Sequence, residues 1–162
     1  MTFENPPRLE VTHERKLVGV RLTMSWANNR TAEVWKRFMS LRKEITNNVN
    51  NDLISMHIYH PSHFTDFSPT NIFEKWAAAE VSDFLSVPTN FETFTLEKGL
   101  YAVFNYKGSS NDNSIFQYIF GTWLPNSNYM LDDRPHFEIL GEKYKNNDPT
   151  SEEEIWIPVK PR

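Results

Sequence analysis

The chain has 162 residues, 39% of them hydrophobic and 14% aromatic, with a formal net charge of −4. A chain of this length can bury roughly 70% of the surface its unfolded form exposes, and aromatics beyond the needs of a core point to a cleft or an interface. The negative balance argues against a basic nucleic-acid footprint, the lack of cysteine excludes disulfides and thiolate metal sites, and no apolar run nears the ~20 residues of a membrane span.

The opening segment, MTFENPPRLEVTHERK, has no apolar h-region, so a cytoplasmic protein is expected. Met1–Pro7 reads as a loose lead-in, because Asn5, Pro6 and Pro7 do not start regular structure. Leu9–Ser25 reads as a strand, with Gly19 marking a bulge or close packing. Ala27–Arg30 is a turn and Thr31 a candidate N-cap. From Ala32 to Ile45 the residues Val34, Trp35, Phe38, Leu41 and Ile45 recur at helical spacing; Trp35 and Phe38 read as core. Asn47–Asp52 is a turn, Ile54–His60 a strand and Ser62–Asn71 a loop. Ile72–Ser82 is read as a strand despite its three consecutive alanines, because no helical stripe runs through it.

Asp83–Asn90 is a turn region with Pro88, and Phe91–Gly108 supplies strands. Ser109–Asn113 leads into a helix over Ser114–Leu124, with Ile115, Phe116, Ile119, Phe120 and Trp123 on its apolar face and Pro125 as the stop. Asn126–Asp133 is a loop. A hairpin closes the chain: strands His136–Tyr144 and Glu153–Lys160 flank the polar turn Lys145–Ser151.

The order is strand, helix, strand, strand, twice over, with matching segments about 80 residues apart. KLVGVRLTMS answers GLYAVFNYKG, ISMHIYH answers HFEILGE, and FEKWAAAEV answers EEEIWIPVK. The expected fold is therefore α+β, built from two repeats, about 9–82 and 91–160, related by a pseudo-twofold. An antiparallel sheet with two helices would leave a ligand groove between the halves.

The residue that stands out is Glu138, inside a strand between Phe137 and Ile139. Alternation gives Phe137 and Ile139 one face and Glu138 the other, with His136 and Leu140. With both faces covered Glu138 is a buried carboxylate awaiting a donor or a cation; with one face open it is an ordinary solvated side chain. Glu154 reads as a solvated member of the acidic run Glu152–Glu154. The run HIYHPSH, with His57, His60 and His63, lacks the alternation and the carboxylate a zinc site needs, so no metal and no cofactor are expected.

Ala78–Gly108, AAAEVSDFLSVPTNFETFTLEKGLYAVFNYKG, resembles the middle of the GyrI-like small-molecule-binding domain, with its proline before a polar turn and its Tyr-Ala-Val-Phe run. HFEIL through EEEIWIPVK resembles the closing hairpin of that family, and the likeness spans about Leu9 to Lys160. The resemblance implies one GyrI-like domain over 1–162, related to the effector-binding domains of AraC- and MerR-type regulators. It implies an aromatic groove with a central glutamate for lipophilic, often cationic molecules. Glu138 matches that glutamate; Tyr101, Trp123 and Trp156 are the nearest matches to the groove aromatics, with Phe120, Trp76 and Tyr59 as further candidates. No helix-turn-helix is present, so direct DNA binding is not implied. Two other roles known in such relatives are a protein-interaction module, as in a gyrase inhibitor, and a hydrolase of strained electrophiles with Glu138 as base and Tyr101 as acid.

Overall fold

The computed structural model describes residues 6–162, so most of the expected lead-in, 1–5, lies outside the described residues. The described residues form nine strands joined in one sheet: β1 Arg8–Thr12, β2 Arg15–Met24, β3 Leu53–Tyr59, β4 Phe73–Val81, β5 Glu92–Leu96, β6 Gly99–Lys107, β7 Tyr129–Leu131, β8 His136–Leu140 and β9 Glu152–Pro161. The order is β1-β6-β9-β8-β3-β4-β2-β5, with β7 added along β9, and every pairing is antiparallel. Helix α1, Thr31–Leu41, covers one half. Helix α2, Ser114–Tyr118, covers the other and runs on through a π-helical stretch, Ile119–Trp123, into a last turn, Leu124–Asn126. This is the α+β plan expected from the repeats.

The sheet order reads the same from the β8–β3 seam in both directions. Outward on one side come β3, β4 and β2, and on the other β8, β9 and β6, each set carrying its own helix. The outermost strands cross over. β1 leads into β2 but pairs with β6, and β5 leads into β6 but pairs with β2. The single strand expected over Leu9–Ser25 is thus two strands serving opposite ends of the sheet. The break at His13 and Glu14 contains neither glycine nor proline. Side chains hold it: Arg15 Nε donates to Thr12 Oγ1 at 3.0 Å and Nη1 to Glu80 Oε1 at 2.7 Å.

Three apolar clusters follow from strand alternation. Val18, Phe73, Ala77, Ala79 and Val81 meet Val34 and Phe38 of α1. Ala102, Phe104, Ile155, Ile157 and Val159 meet Ile115 and Ile119 of the second helical segment. On the opposite face Leu17 and Leu96 pack with Tyr101, Phe137 and Trp156, so residues from both ends of the sheet share one core and the sheet is curled away from the helices. The small side chains Ala77 and Ala79 let α1 lie close to β4, which is why an alanine run serves as a strand here. Gly19 marks close packing: a Cβ there would sit 2.3 Å from the carbonyl oxygen of Ala77.

Local boundaries differ in several places. Arg30, not Thr31, is the N-cap of α1 and makes no side-chain cap bond; Asn29 Oδ1 accepts from the Thr31 N–H at 2.9 Å and from the Thr31 hydroxyl at 2.6 Å. The second helical segment continues to Asn126, two residues past Leu124, and its winding widens just ahead of Pro125, which has no N–H to close the preceding turn. The loop expected over Asn126–Asp133 contains β7. β8 ends at Leu140 rather than Tyr144, the chain turning at Gly141–Tyr144 with a hydrogen bond between the Tyr144 N–H and the Gly141 carbonyl.

Candidate functional site

Between the two helices, on the helix side of the seam, lies a cavity of about 870 Å³. This falls within the ~300–1,000 Å³ range of small-molecule pockets. Its floor is the middle of the sheet, where alternate residues of four strands point the same way: Ser55, His57 and Tyr59 of β3, Lys75 of β4, His136, Glu138 and Leu140 of β8, and Glu153 and Ile155 of β9. Trp35 of α1 and Phe116, Gln117 and Phe120 of the other helical segment form the walls, with Trp26, Phe64 and Phe67 from loops.

Register explains the polar floor. Ser55 sits opposite Glu138 across β3–β8, and His57 lies opposite both Lys75 and His136. Lys75 is 4% exposed, and its ammonium donates to Ser55 Oγ and to His57 Nε2, the latter at 3.0 Å. Burial pulls Lys75 down to about 8, partly offset by the negative charge of Glu138. Burial, reinforced by Lys75, holds His57 well below the usual imidazole range, and burial takes His136 down to about 3. Both imidazoles are therefore neutral at physiological pH.

Glu138 and Glu153 form a hydrogen-bonded pair, which requires a proton between them. Burial raises both carboxyls; Lys75 moderates the rise at Glu138, while the charge of Glu138 adds to it at Glu153, pushed up to about 9. At neutral pH the Glu153 carboxyl is therefore protonated and is the donor of the pair. Glu138 is half-buried because it faces the cavity.

Above this floor the rings interlock. Phe64 stacks on Phe120 with centroids 5.1 Å apart and on His136 at 5.4 Å. Tyr59 meets His136 edge-on at 4.9 Å and Phe64 at 5.0 Å. Burial raises the Tyr59 hydroxyl far above its ordinary range, so it stays protonated.

Of the residues singled out in the sequence, Glu138, Phe120 and Tyr59 line this cavity together, and Trp156 borders it. Trp156 lies on a flooring strand, but its ring packs on the other face, against Phe137 at 5.1 Å and under the Arg15 guanidinium at 5.4 Å. Tyr101 and Trp76 are also on that face. The Tyr101 hydroxyl donates to the Pro135 carbonyl at 2.8 Å, and Trp76 packs on Phe94 at 5.6 Å. Trp123 packs edge-on against Phe104 at 5.3 Å, outside the cavity. The three histidines diverge: His57 meets Lys75, His60 meets Ser62 at 2.8 Å, and His63 is enclosed by Tyr59, Phe64, Phe67 and Phe73. The acidic run divides too. Glu153 turns inward, Glu154 accepts from Arg8 at 3.0 Å and from Trp156 Nε1 at 3.2 Å, and Glu152 faces Lys143.

Lys75, Ser55 and Glu153 were not anticipated. Strand alternation could have found them. Lys75 is in phase with Phe73 and Ala77, and Glu153 with Ile155 and Ile157.

The fold is thus a duplicated sheet carrying two helices over an aromatic-walled cavity with two carboxyls on its floor. The chain belongs to the family described as integron-associated effector binding protein, whose model matches residues 8–159. The GyrI-like resemblance agrees with that membership. Solved structures with the same fold include SAV2435 bound to tetraphenylphosphonium, with 18% identity, a TM-score of 0.71, and coverage of 95% of this chain and 93% of that one. An integron cassette protein from Vibrio cholerae matches with 14% identity and a TM-score of 0.67, over 96% of each chain. The EcmrR C-terminal domain matches with 16% identity and a TM-score of 0.67, over 96% of this chain and 97% of that one. No curated protein sequence matches the chain. No helix among the described residues is long and apolar enough to cross a membrane.

Proposed function

We propose that this effector-binding protein takes up lipophilic aromatic cations in the cavity above Glu138 and Glu153. The observation that carries the reading is the acid pair itself, enclosed by protein yet facing an aromatic chamber. A carboxylate in such a place stabilises a desolvated cation, and ring faces contribute about 0.5–2 kcal/mol per cation–π contact. Lys75 sets the terms. With one charge on the acid pair and one on Lys75 the floor is close to neutral, so a bound cation favours loss of the shared proton. The SAV2435 complex with tetraphenylphosphonium supplies the probe.

The experiment is a thermal-shift titration with tetraphenylphosphonium. Ligand at one hundred times its Kd adds about 2.7 kcal/mol of stability, which is a rise of roughly 5–10 °C for a chain of this size. Glu138→Gln should weaken binding about tenfold or more, the loss of roughly 1.4 kcal/mol expected when a charge partner becomes neutral. No shift with any of a panel of aromatic cations, or equal affinity in Glu138→Gln, would overturn the reading.

A further inference from the structure

Beyond balancing the charge of the acid pair, the cation reading makes no use of the amine chemistry of one floor residue. Lys75 is a buried cation whose hydrogen-bond partners, Ser55 Oγ and His57 Nε2, are both neutral, and among the described residues it forms no ion pair. An ammonium in the floor makes no attractive contact with a bound cation. In the neutral amine, however, the same two partners accept its two hydrogens and leave the third position, that of the lone pair, turned to neither. Lys75 lines the cavity, with Glu153 as a carboxylic acid on the same floor.

We propose that Lys75 is a covalent capture site, whose amine forms an imine with a lipophilic aromatic aldehyde held in the cavity. Imine formation needs a neutral amine, a proton donor and protection from water. The floor supplies the first two and the ring-lined walls the third. The nitrogen lone pair adds to the carbonyl carbon, forming the C–N bond, while the carbonyl π pair moves to oxygen and takes up a proton. That proton is the one nitrogen gives up, so the product is the neutral carbinolamine. The hydroxyl then accepts a proton from Glu153, the C–O bond breaks, water leaves and the nitrogen lone pair closes the C=N bond. The iminium nitrogen so formed returns its proton to the Glu153 carboxylate, leaving the neutral imine. Aldehyde and amine give imine and water, with no oxidant or reductant. At pH 7 an amine titrating near 8 is neutral about a tenth of the time, against about one part in three thousand for an ordinary lysine.

The test uses the full chain at pH 7.4 with 2-naphthaldehyde and sodium cyanoborohydride, which reduces imines to stable amines. Peptide mapping of the wild type should place the first adduct on Lys75, at least tenfold faster than on exposed Lys98 or Lys160. Propanal should show much less preference, and Lys75→Arg should lose the fast adduct. Even labelling of all lysines in the wild type overturns the proposal, whether or not the variant folds. Tetraphenylphosphonium melts of the same protein separate the two readings. A thermal shift without Lys75 labelling sinks the imine alone. Labelling without a shift supports the imine and removes the cation reading.

Discussion

Lys75→Met is the most informative single substitution for the energetics of the floor. Methionine keeps the unbranched stem and removes the charge. In the wild type the amine titrates near 8 in the folded chain and at 10.5 in the unfolded one, with burial as the main cause. Between those values the unfolded chain binds more protons, so Lys75 makes stability rise with pH; below about 8 its penalty is fully present. Each tenfold in proton affinity is about 1.4 kcal/mol, so the penalty is about 3 kcal/mol at pH 7 and falls to below about 1 kcal/mol at pH 10. Urea unfolding of both proteins, followed by tryptophan fluorescence at pH 7 and pH 10, reads this directly. The stability of the wild type relative to the variant should improve by about 2–3 kcal/mol across that range. The comparison cancels every other titrating group that the substitution leaves alone. Loss of the bonds to Ser55 and His57 shifts the gap at both pH values alike. A gap that does not move with pH would refute a buried, charge-penalised lysine.

Three further outcomes are expected. Tetraphenylphosphonium should bind more tightly as pH rises from 6 to 8, approaching tenfold per pH unit, because binding expels the proton shared by Glu138 and Glu153; calorimetry in buffers of different ionisation enthalpy should register its release, and a flat affinity would refute the coupling. Glu80→Gln should destabilise by about 3 kcal/mol, since it removes the negative charge opposite Arg15, which is 8% exposed; a loss below about 1 kcal/mol in urea melts would show that the pair is structurally idle. Gly19→Ala should cost about 2 kcal/mol or more, because the 2.3 Å approach to the Ala77 oxygen can be relieved only by moving β2 from β4; an unchanged melting temperature would contradict that packing.

The repeat was legible because its hydrophobic pattern recurs in both halves, and the two helices because Val34–Phe38 and Ile115–Ile119 fall on single faces. The crossing of the edge strands was not. Nothing at His13–Glu14 signals a break, and a strand looks the same whichever neighbour it pairs with. In the site, alternation around Phe137 and Ile139 assigned Glu138 its face, and the sheet has the same arrangement. Glu153 was hidden in a run of three glutamates that reads as solvated, although its phase with Ile155 points it inward. Tyr101, Trp76 and Trp156 carry the opposite lesson. Aromatic identity marks a candidate, but their phase puts all three rings in the core behind the sheet.

The exchange of edge strands bears on how the chain is made. On a ribosome β1 emerges early, yet its partner β6 is about 90 residues downstream, and β2 waits for β5 over a gap of about 75. Until β5 is clear of the exit tunnel, the first half exists as β2, β3, β4 and α1 with both sheet edges open, and the β3 edge stays open until β8 follows. Such edges invite pairing with another nascent chain. The same wiring means that neither half completes its own sheet. A chain cut between the repeats would leave β1 without β6 and β2 without β5 until the two pieces met again.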